Sequence, residues 1–467
     1  MSGIINHLST DTICAIATPA GMGGIAVARV SGPQAIDIVA RRWQGKSLDA
    51  MPSHTAHLGR ITDSQGHLLD QVVLTLYRGP HSFTGEDVIE IACHGSTWIQ
   101  QQLLTTLIDA GCRMATGGEF TRRAVTTGRM DLSQAEAVAD VIAAQSQASA
   151  RLALNQMRGG LSSELAALRE RLLHFVALME LELDFSEEDV EFADRSQVTA
   201  LASEIEQKIS RLAHSFDAGN AIKGGVPVAI VGQTNAGKST LLNALLHDDR
   251  ALVSDIHGTT RDVIEDTITM GGTLFRLIDT AGIRHSDDVI EAMGIERSFS
   301  KLDAARLVLW VIDGTTTLDQ VQTFGQHIIP HCHDKRIIAV VNKTDLADVR
   351  PIVAALPRLL PDDAHIVAIS AHTEADVQQL QQVIVEAAAL PQVDDDTVII
   401  TNARHYQALT RAGEAIRRTL DGLRDGLPGD LVSQDIRECL HHLGTITGQI
   451  TTDEVLGEIF GRFCIGK

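Results

Sequence analysis

The chain has 467 residues, too many for one hydrophobic core and enough for about three domains at roughly 150 residues each. With 44% hydrophobic and 21% charged residues, it has the composition of globular domains rather than of a disordered protein. The formal net charge of −21 excludes a surface coated with Lys and Arg for nucleic-acid binding, so any contact with RNA must use local basic spots.

The N-terminal residues and the cysteines indicate the cellular setting. The N-terminus lacks the basic start and the long apolar core of a signal peptide, and no run approaches the ~20 apolar residues that cross a bilayer. The six scattered cysteines include no C-x-x-C pair, which favours neither a disulfide framework nor a thiolate zinc site. We therefore expect a soluble, cytoplasmic protein with no membrane span.

Short apolar runs separated by Gly and Pro turns dominate the chain up to about Phe120. The runs "TICAIAT", "GIAVARV", "VVLTLY" and "DVIEIAC" predict strands, and helices are predicted near Pro33–Arg42 and Trp98–Ala110. Together they predict an N-terminal α+β domain over residues 1–125.

Apolar residues at three- and four-residue spacing then predict helices. They recur in two runs between Ser133 and Phe185, which two glycines separate, and in a third run over Thr199–Phe216. We predict that residues 126–222 form the first half of an all-α helical domain. The same pattern returns after "LPQVDDDTV", which predicts the second half over residues 390–467.

Between the two helical halves, β-rich runs alternate with helical ones. The runs "VPVAIVG", "DTITMGG", "TLFRLIDT", "RLVLWVID", "RIIAVVNK" and "HIVAIS" are typical of a doubly wound sheet. Residues 223–389 are therefore predicted to form an α/β domain that is inserted into the helical domain.

The stretch "GQTNAGKST" follows the first of these strands and precedes the helical "LLNALL". In this context G-x-x-x-x-G-K-S predicts a phosphate-binding loop, because its backbone N–H groups can close around phosphates and the helix dipole favours an anion. Lys238 is expected to reach the β- and γ-phosphates, and Ser239 to ligate Mg²⁺. The alternative is a chance glycine turn.

Two further motifs predict which base is bound. "NKTD", residues 342–345, ends the strand "RIIAVV", and the Asp345 carboxylate can accept two N–H bonds from guanine that adenine cannot offer. Asn342 is expected to fix the loop, and the aliphatic stem of Lys343 to lie along the base. "SAH" follows the next strand, and its residues Ser370, Ala371 and His372 are expected to supply a backbone N–H to the guanine carbonyl.

Two loops between these motifs are predicted to sense the terminal phosphate. "DTAG" places Asp279 where it can hold Mg²⁺ through water and Gly282 where its amide can meet the γ-phosphate. "GTTRD" supplies the hydroxyl groups of Thr259 and Thr260. We expect both loops to be ordered by GTP and released after hydrolysis. Ile283 stands where Ras-like enzymes have a water-orienting Gln, so another group must orient the water.

The motif set "GQTNAGKS … GTTRD … DTAGIR … NKTD … SAH", together with "ATPAGMGGIAVARVSG" and the closing "FCIGK", resembles the tRNA-modification GTPase family MnmE, also called TrmE. The resemblance covers essentially the whole chain. It implies a folate-binding-like α+β domain, a helical domain and an inserted Ras-like P-loop GTPase domain.

The resemblance also implies roles for single residues. A K⁺ ion beside the phosphates would be held by Asn235, Ser254, Ile256 and Thr259, and a catalytic glutamate acting through water falls on Glu291. The expected contacts with GTP or GDP and Mg²⁺ are Asn235, Ala236, Gly237, Lys238, Ser239, Thr240, Ser254, Asp255, Ile256, His257, Gly258, Thr259, Thr260, Asp279, Thr280, Ala281, Gly282, Asn342, Lys343, Asp345, Ser370, Ala371 and His372.

For the N-terminal domain, the resemblance implies a tetrahydrofolate one-carbon donor, 5-formyl- or 5,10-methylene-tetrahydrofolate. The matching positions are Arg29, Glu86, Arg129 and Lys467, and Cys464 is a candidate catalytic thiol beside them. The alternative is a purely structural role, in which Glu86 is a turn or cap residue and Arg29 a charge at a strand edge.

As a whole, the resemblance implies a K⁺-stimulated GTPase that forms a homodimer. It would act with the flavin-dependent partner MnmG (GidA), which carries FAD, in a heterotetramer or larger complex. The expected reaction adds a carboxymethylaminomethyl or aminomethyl group to C5 of the wobble uridine (position 34) of certain tRNAs. The alternatives are a ribosome-assembly GTPase of the Era or Der type and a scaffold without enzymatic activity. The runs "SEEDVEF" and "HCHD" are interpreted as a solvated helix end and a loop rather than as metal sites.

Overall fold

The computed structural model describes residues 11–184, 195–247, 266–278, 302–391, 393–394, 397–450, 453–461, 463 and 466. These residues form two compact units. The first unit takes in the described parts of Met1–Ile142, Gln156–Glu206 and Ala408–Lys467, and the second unit those of Ala143–Asn155 and Gln207–Gln407.

The helices of the described chain are, in order, α1 (Ala35–Ala40), α2 (Thr97–Asp109), α3 (Glu119–Thr126), α4 (Leu132–Ala143), α5 (Gln147–Met157), α6 (Gly160–Asp184), α7 (Arg195–His214), α8 (Phe216–Gly224), α9 (Lys238–His247), α10 (Leu318–Ile328), α11 (Arg350–Ala355), α12 (Glu374–Ala387), α13 (Ala403–Arg424), α14 (Gly429–Thr447) and α15 (Asp453–Gly461). Short 3-10 turns occur at Leu48–Ala50, Ile329–His331 and Leu356–Arg358. No described helix combines the length and the apolar character that a bilayer span requires.

The first unit is built on a mainly antiparallel sheet of seven strands in the spatial order β3-β4-β5-β6-β2-β1-β7. Along β5, Val72, Leu74 and Leu76 are buried while Val73 between them is 40% exposed, as expected for a strand with one face on the core. The strands are β1 (Ile13–Ile16), β2 (Ile25–Ser31), β3 (Trp43–Gln44), β4 (Thr55–Thr62), β5 (Leu68–Tyr77), β6 (Val88–His94) and β7 (Arg113–Met114).

Helical segments from distant parts of the sequence pack together in the first unit. Helix α6 packs against α14, and each presents a stripe of buried side chains at helical spacing. The stripe of α6 consists of Leu161, Leu165, Leu168, Leu172 and Phe175, and that of α14 of Val432, Ile436, Cys439, Leu443 and Ile446. The predicted packing of the two helical halves is thus present.

The second unit is built on a six-stranded sheet in the order β13-β12-β11-β8-β10-β9. All neighbouring strands are parallel except β9 and β10. The central strands are apolar except at their ends, as expected where helices cover both faces of a parallel sheet. The strands are β8 (Val226–Val231), β9 (Asp266–Met270), β10 (Thr273–Leu277), β11 (Leu307–Asp313), β12 (Arg336–Asn342) and β13 (His365–Ala368).

The predicted fold class is confirmed. The structure differs from the predicted elements only in local features. Strand β4 has the mixed sequence "TAHLGRIT" and was not predicted, since its outward positions carry few polar signals. The helical run after Ser133 is broken between α4 and α5, where the Ser146 hydroxyl accepts a hydrogen bond from the Ser149 N–H at 3.2 Å and caps α5. The predicted domain boundaries at residues 125, 222 and 389 stay predictions.

A buried carboxylate ties α3 to β7 in the first unit. Glu119 is 1% exposed and accepts hydrogen bonds from Arg113 Nη2 at 2.6 Å, from the Thr116 N–H at 2.8 Å and from Arg123 Nη2 at 3.2 Å. Burial raises the pKa of Glu119, but these donors outweigh burial and lower the pKa from 4.5 to about 2. The ionised form is therefore the one that the fold stabilises.

This pKa predicts acid sensitivity of the first unit. Because the folded-state pKa of Glu119 lies below its unfolded value, its contribution is complete above pH 4.5 and is lost as the pH falls from 4.5 towards 2. Glu119→Gln should lower the free energy of unfolding at pH 7 by about 1–3 kcal/mol and flatten its decline in acid. Hydrogen exchange of peptides covering α3 measures both effects. The exposed Glu170→Gln is the control, and a variant with the wild-type acid profile would contradict the assignment.

Candidate nucleotide site

The predicted phosphate loop lies between a buried strand and a helix. Strand β8 ends at Val231 and α9 begins at Lys238, and Leu241, Leu242 and Leu245 anchor α9 in the core with no exposed surface. The first-turn N–H groups of α9 and the positive end of its dipole therefore face the loop. This arrangement suits an anion at the carboxyl end of the sheet.

The loop backbone has a positive φ at three positions, and Gly232 has a φ of 155°. Asn235 has a φ of 66° and Gly237 a φ of 90°, and such a conformation is costly for a residue with a Cβ. A Cβ on Gly237 would also collide with the side-chain amide of Asn342. Glycine at position 237 is thus required both by its φ and by its neighbour.

Asn342 connects the phosphate loop to the loop after β13. Its Nδ2 donates to the carbonyl of Ala236 at 2.9 Å, and its Oδ1 accepts the N–H of Ala371 at 3.0 Å. The side chain is at the end of β12, where only 3% of the residue is exposed. One buried amide therefore joins three of the predicted motifs, and we call this arrangement the Asn342 clamp.

The lysine of the phosphate loop lies folded back along it. Lys238 Nζ donates to the carbonyls of Gly232 and Gln233, each at 2.7 Å. The ammonium group is therefore held over the inner side of the loop, where a phosphate bound to the α9 N-terminus would meet it.

The two base-reading loops are held by side chains that were not predicted. Lys343 has a φ of 66°, and its Nζ donates to Asp313 Oδ2 at 2.6 Å. The N–H of Ser370 donates to Asp376 Oδ2 at 2.7 Å. Asp345 and His372 are exposed beside them and are free to meet a ligand from solvent.

Much of the predicted switch region lies outside the described residues. This holds for the metal, phosphate and water-orienting positions Ser254, Asp255, Ile256, His257, Gly258, Thr259, Thr260, Asp279, Thr280, Ala281, Gly282, Ile283 and Glu291, for Cys464 and Lys467 of the closing motif, and for the acidic run at 186–192. The predictions for these residues stay predictions.

Arg29 is central in the N-terminal sheet. Strand β2 lies between β6 and β1. Arg29 is therefore not at the edge of the sheet, contrary to the alternative of a charge at a strand edge. Its Nη2 donates to Glu90 Oε1 at 2.8 Å, and its Cζ lies 5.4 Å from the ring centre of Phe83 and 5.6 Å from that of Phe120. Such placement holds the guanidinium by charge and by cation–π contact.

Glu86 is held by a buried arginine. Arg123, 5% exposed, donates through Nη1 to both carboxylate oxygens of Glu86 at 3.1 and 3.2 Å. The hydroxyl of Ser31 donates to Glu86 Oε2 at 2.7 Å. The side chain of Glu86 is thus a fixed carboxylate, while its backbone makes local hydrogen bonds with Ser82 and Thr84, as the alternative of a turn residue supposes.

A cavity of about 400 Å³ lies next to these residues, lined by His54, Tyr77, His81, Ser82, Phe83 and Arg129. Phe83 connects the cavity to Arg29, which lies over its ring. In the closing motif, Gly466 lies against the end of β1, because a Cβ on it would lie 3.1 Å from the Cα of Ala17. Strand β1 pairs with β2, where Ala15 is opposite Arg29. The folate-binding roles of Arg29, Arg129 and Lys467 stay predictions.

Sequence reasoning missed Asp313, Asp376 and Arg123. Asp313 ends a predicted strand of a parallel sheet, and side chains at such ends converge, so the sequence "VID" offered a signal. Asp376 and Arg123 lie inside helices and offered none, because their roles depend on contacts between distant segments.

Two family models match this sequence, one over the N-terminal domain and one over the rest of the chain. One described as the MnmE helical domain matches residues 132–464, and one described as the GTP-binding protein TrmE N-terminus matches residues 12–129.

Two relatives match this chain over nearly its whole length. The tRNA modification GTPase MnmE of Parabacteroides distasonis is 55% identical over 464 residues, which is 98% of this chain and 100% of that protein. The protein of the same name from Bacteroides thetaiotaomicron is 54% identical over 467 residues with the same shares covered. A crystal structure of Era from Aquifex aeolicus bound to GDP and AlF4⁻ is 28% identical over 40% of this chain and 65% of that chain, with a TM-score of 0.27, which is too low to support an argument.

The Asn342 clamp predicts a large effect of one amide. Asn342→Ala leaves the Ala236 carbonyl and the Ala371 N–H without their partner, at about 1–3 kcal/mol each. The two costs together, about 2–6 kcal/mol, should lower the affinity for GDP by about 30- to 20,000-fold. Titration calorimetry measures it. The exposed Asn243→Ala on α9 is the control, and unchanged affinity in Asn342→Ala would show that the two loops are held by other contacts.

Proposed function

Because the chain belongs to the MnmE family of tRNA modification GTPases, we propose that it hydrolyses GTP to support modification of the wobble uridine at C5 in certain tRNAs. The group added is carboxymethylaminomethyl or aminomethyl. The observation that carries this proposal is the Asn342 clamp, which joins the predicted phosphate loop to the two loops that we propose read the base.

The described residues account for binding of a guanine nucleotide. Phosphates would lie against the α9 N-terminus and Lys238, and the exposed Asp345 carboxylate would accept the N1–H and the exocyclic N–H of guanine. Adenine offers an acceptor where guanine has N1–H, so it would leave a carboxylate oxygen without a partner, which is costly. The site therefore selects GTP over ATP.

Metal ions fit the donors that are present. Ser239, the second residue of α9, is exposed, and its hydroxyl is a hard oxygen ligand of the kind that Mg²⁺ prefers. Thr260 would complete the protein ligands. Bound Mg²⁺ would supply neutralisation of phosphate charge.

Potassium would be held beside the phosphates. Asn235 is exposed and left-handed, so its side-chain oxygen can reach a cation at the loop without moving a packed residue. Ser254, Ile256 and Thr259 would provide the other oxygens. The ion would supply the positive charge that an arginine provides in other GTPases.

Hydrolysis needs a group that orients water. Ile283 cannot hydrogen-bond to it, and we assign this role to Glu291. A carboxylate acting through an intervening water molecule can hold the nucleophile in line with the γ-phosphate.

The N-terminal domain would bind a tetrahydrofolate derivative. Arg29 and Arg129 offer positive charge to its glutamate carboxylates, and Phe83 offers an aromatic face at the cavity. Glu86 is ionisable and fixed by Arg123, which suits recognition of the N–H groups of a pterin. Lys467 would approach from beside Gly466, and Cys464 would be available for the one-carbon chemistry.

We propose a homodimer that works with the flavin-dependent MnmG and with tRNA, so that FAD resides on the partner. Membership of a tRNA modification GTPase family supports the tRNA part of this proposal. GTP hydrolysis would drive movement rather than carbon chemistry. The Era or Der alternative accounts for the phosphate loop but not for an N-terminal region that matches the TrmE model over residues 12–129.

The proposed potassium site predicts a cation response. The GTPase rate should rise steeply when K⁺ replaces Na⁺, and Asn235→Ala should remove this difference because it removes a ligand oxygen. Phosphate release measured in matched salts tests it, with the exposed neighbour Thr234→Ala as the control. Equal wild-type rates in K⁺ and Na⁺ would exclude the potassium site.

The proposed substrate predicts a change in tRNA. Deleting the gene in its host should leave wobble uridines without the C5 group, and the wild-type chain should restore it. A variant with Asp345→Asn should restore it poorly because guanine binding is lost. Mass analysis of tRNA nucleosides measures this, and unchanged wobble uridines after deletion would refute the proposed function.

A further inference from the structure

Lys343 is held in an unfavourable backbone conformation. Its φ of 66° is in the left-handed region, which is strained for a residue with a Cβ. The loop fixes it there, since the N–H of Leu346 donates to the Lys343 carbonyl at 3.0 Å and the N–H of Thr344 donates to the Ile369 carbonyl at 3.2 Å. The turn directs the side chain back towards the end of β11.

Asp313 receives that side chain. Lys343 Nζ donates to Asp313 Oδ2 at 2.6 Å, while the Thr315 N–H and hydroxyl donate to Oδ1 at 2.9 and 2.7 Å. Both carboxylate oxygens are therefore occupied. The parallel register pairs Asp313 with Asn342, so the anchor lies directly beside the Asn342 clamp.

The backbone next to Asp313 is equally constrained. The N–H of Gly314 donates to the Asn342 carbonyl at 2.8 Å. A Cβ on Gly314 would lie 2.6 Å from that carbonyl oxygen and 2.6 Å from a methyl group of Val349. The end of β11 is thus fixed against the start of the "NKTD" loop, and Asp313 has little room to move.

Asp313 and Lys343 form a partly buried ion pair. The Asp313 side chain is 13% exposed and that of Lys343 27%. Burial raises the pKa of Asp313, but the hydrogen bonds from Lys343 and Thr315 outweigh it and hold the pKa below 3.8. At neutral pH the carboxylate is ionised and the lysine has a fixed counter-charge.

We propose that Asp313 is a positioning residue for guanine nucleotide binding: it fixes the Lys343 ammonium so that the aliphatic stem of Lys343 forms a flat support for the base. This rests on the proposed GTP site and adds a residue to it. The stem has four methylene groups and many rotamers, and holding it in one of them removes an ordering cost that binding would otherwise carry.

The support acts on the face of the base rather than on its edge. Asp345 reads hydrogen-bond donors on the edge, so its effect depends on which donors the base has. A methylene stem reads only a planar surface. Inosine lacks the exocyclic amine of guanine but has the same planar rings, and it therefore separates the two roles.

The test compares Kd values for GDP and inosine diphosphate by titration calorimetry on the full chain. Asp313→Asn should weaken both ligands by the same factor, about 5- to 30-fold, because a hydrogen bond to a charged group is lost. Lys343→Met keeps a stem without the ammonium. In the Lys343→Met background, Asp313→Asn should cause no further loss, since the two residues act as one unit.

Three further variants test whether the effect is specific to the bond between Asp313 and Lys343. Asp348→Asn removes an exposed carboxylate that pairs with Arg350 at 2.7 Å, and it should leave both Kd values unchanged. Thr315→Val removes one of the contacts to the other oxygen of Asp313 and should have less effect than Asp313→Asn. Asp345→Asn should weaken GDP binding whatever the role of Asp313.

The outcomes are distinct. An unchanged Kd in Asp313→Asn, an equal loss in the Lys343→Met background, or an equal loss in Thr315→Val would each overturn the positioning role. If Asp345→Asn also left GDP binding intact, the nucleotide site itself would be wrong. Thermal unfolding of each variant confirms that the chain is folded at the temperature of the titration.

Discussion

A single buried amide constrains the whole nucleotide site. Asn342 is nearly inaccessible to water, so its donor and acceptor need protein partners, and they find them on two loops that are more than a hundred residues apart in sequence. The observed arrangement of these loops gives both the donor and the acceptor of the amide a partner. The requirement for glycine at position 237 follows from it, because any larger residue would displace the amide from both partners.

The sequence was informative where a function depends on a short stretch. The phosphate loop, "NKTD" and each strand of the second unit have local signals: a buried run, a glycine, a charged residue at the strand end. The roles of Asp313 and Glu119 were only partly visible in this way. Asp313 ends a predicted strand, but its partner Lys343 lies in the loop after the neighbouring strand β12. Glu119 has Arg123 four residues later in the same helix, but its burial and its bond with Arg113 of β7 depend on how α3 packs. Strand β4 was missed for another reason, since its mixed sequence lacks a clear polar alternation.

The first unit depends on a buried arginine rather than on an amide. Arg123 donates to Asp11, Glu86 and Glu119, so one guanidinium serves three carboxylates from separate segments. A desolvated charge without partners is very costly, and this network leaves few alternatives to the observed packing. The position of Glu86 is set by the same arginine that joins α3 to Asp11.

The contact of Gly466 with Ile16 and Ala17 affects how the chain folds during translation. These residues are about 450 positions apart, and closing so long a loop waits until the far segment exists. At roughly 5–20 residues per second, β1 leaves the ribosome on the order of tens of seconds before the segment that covers it. The sheet of the second unit is contiguous from Val226 to Ala368 and can form during that interval. The first-translated unit is therefore among the last to be completed, because part of it comes from the C-terminal end of the chain.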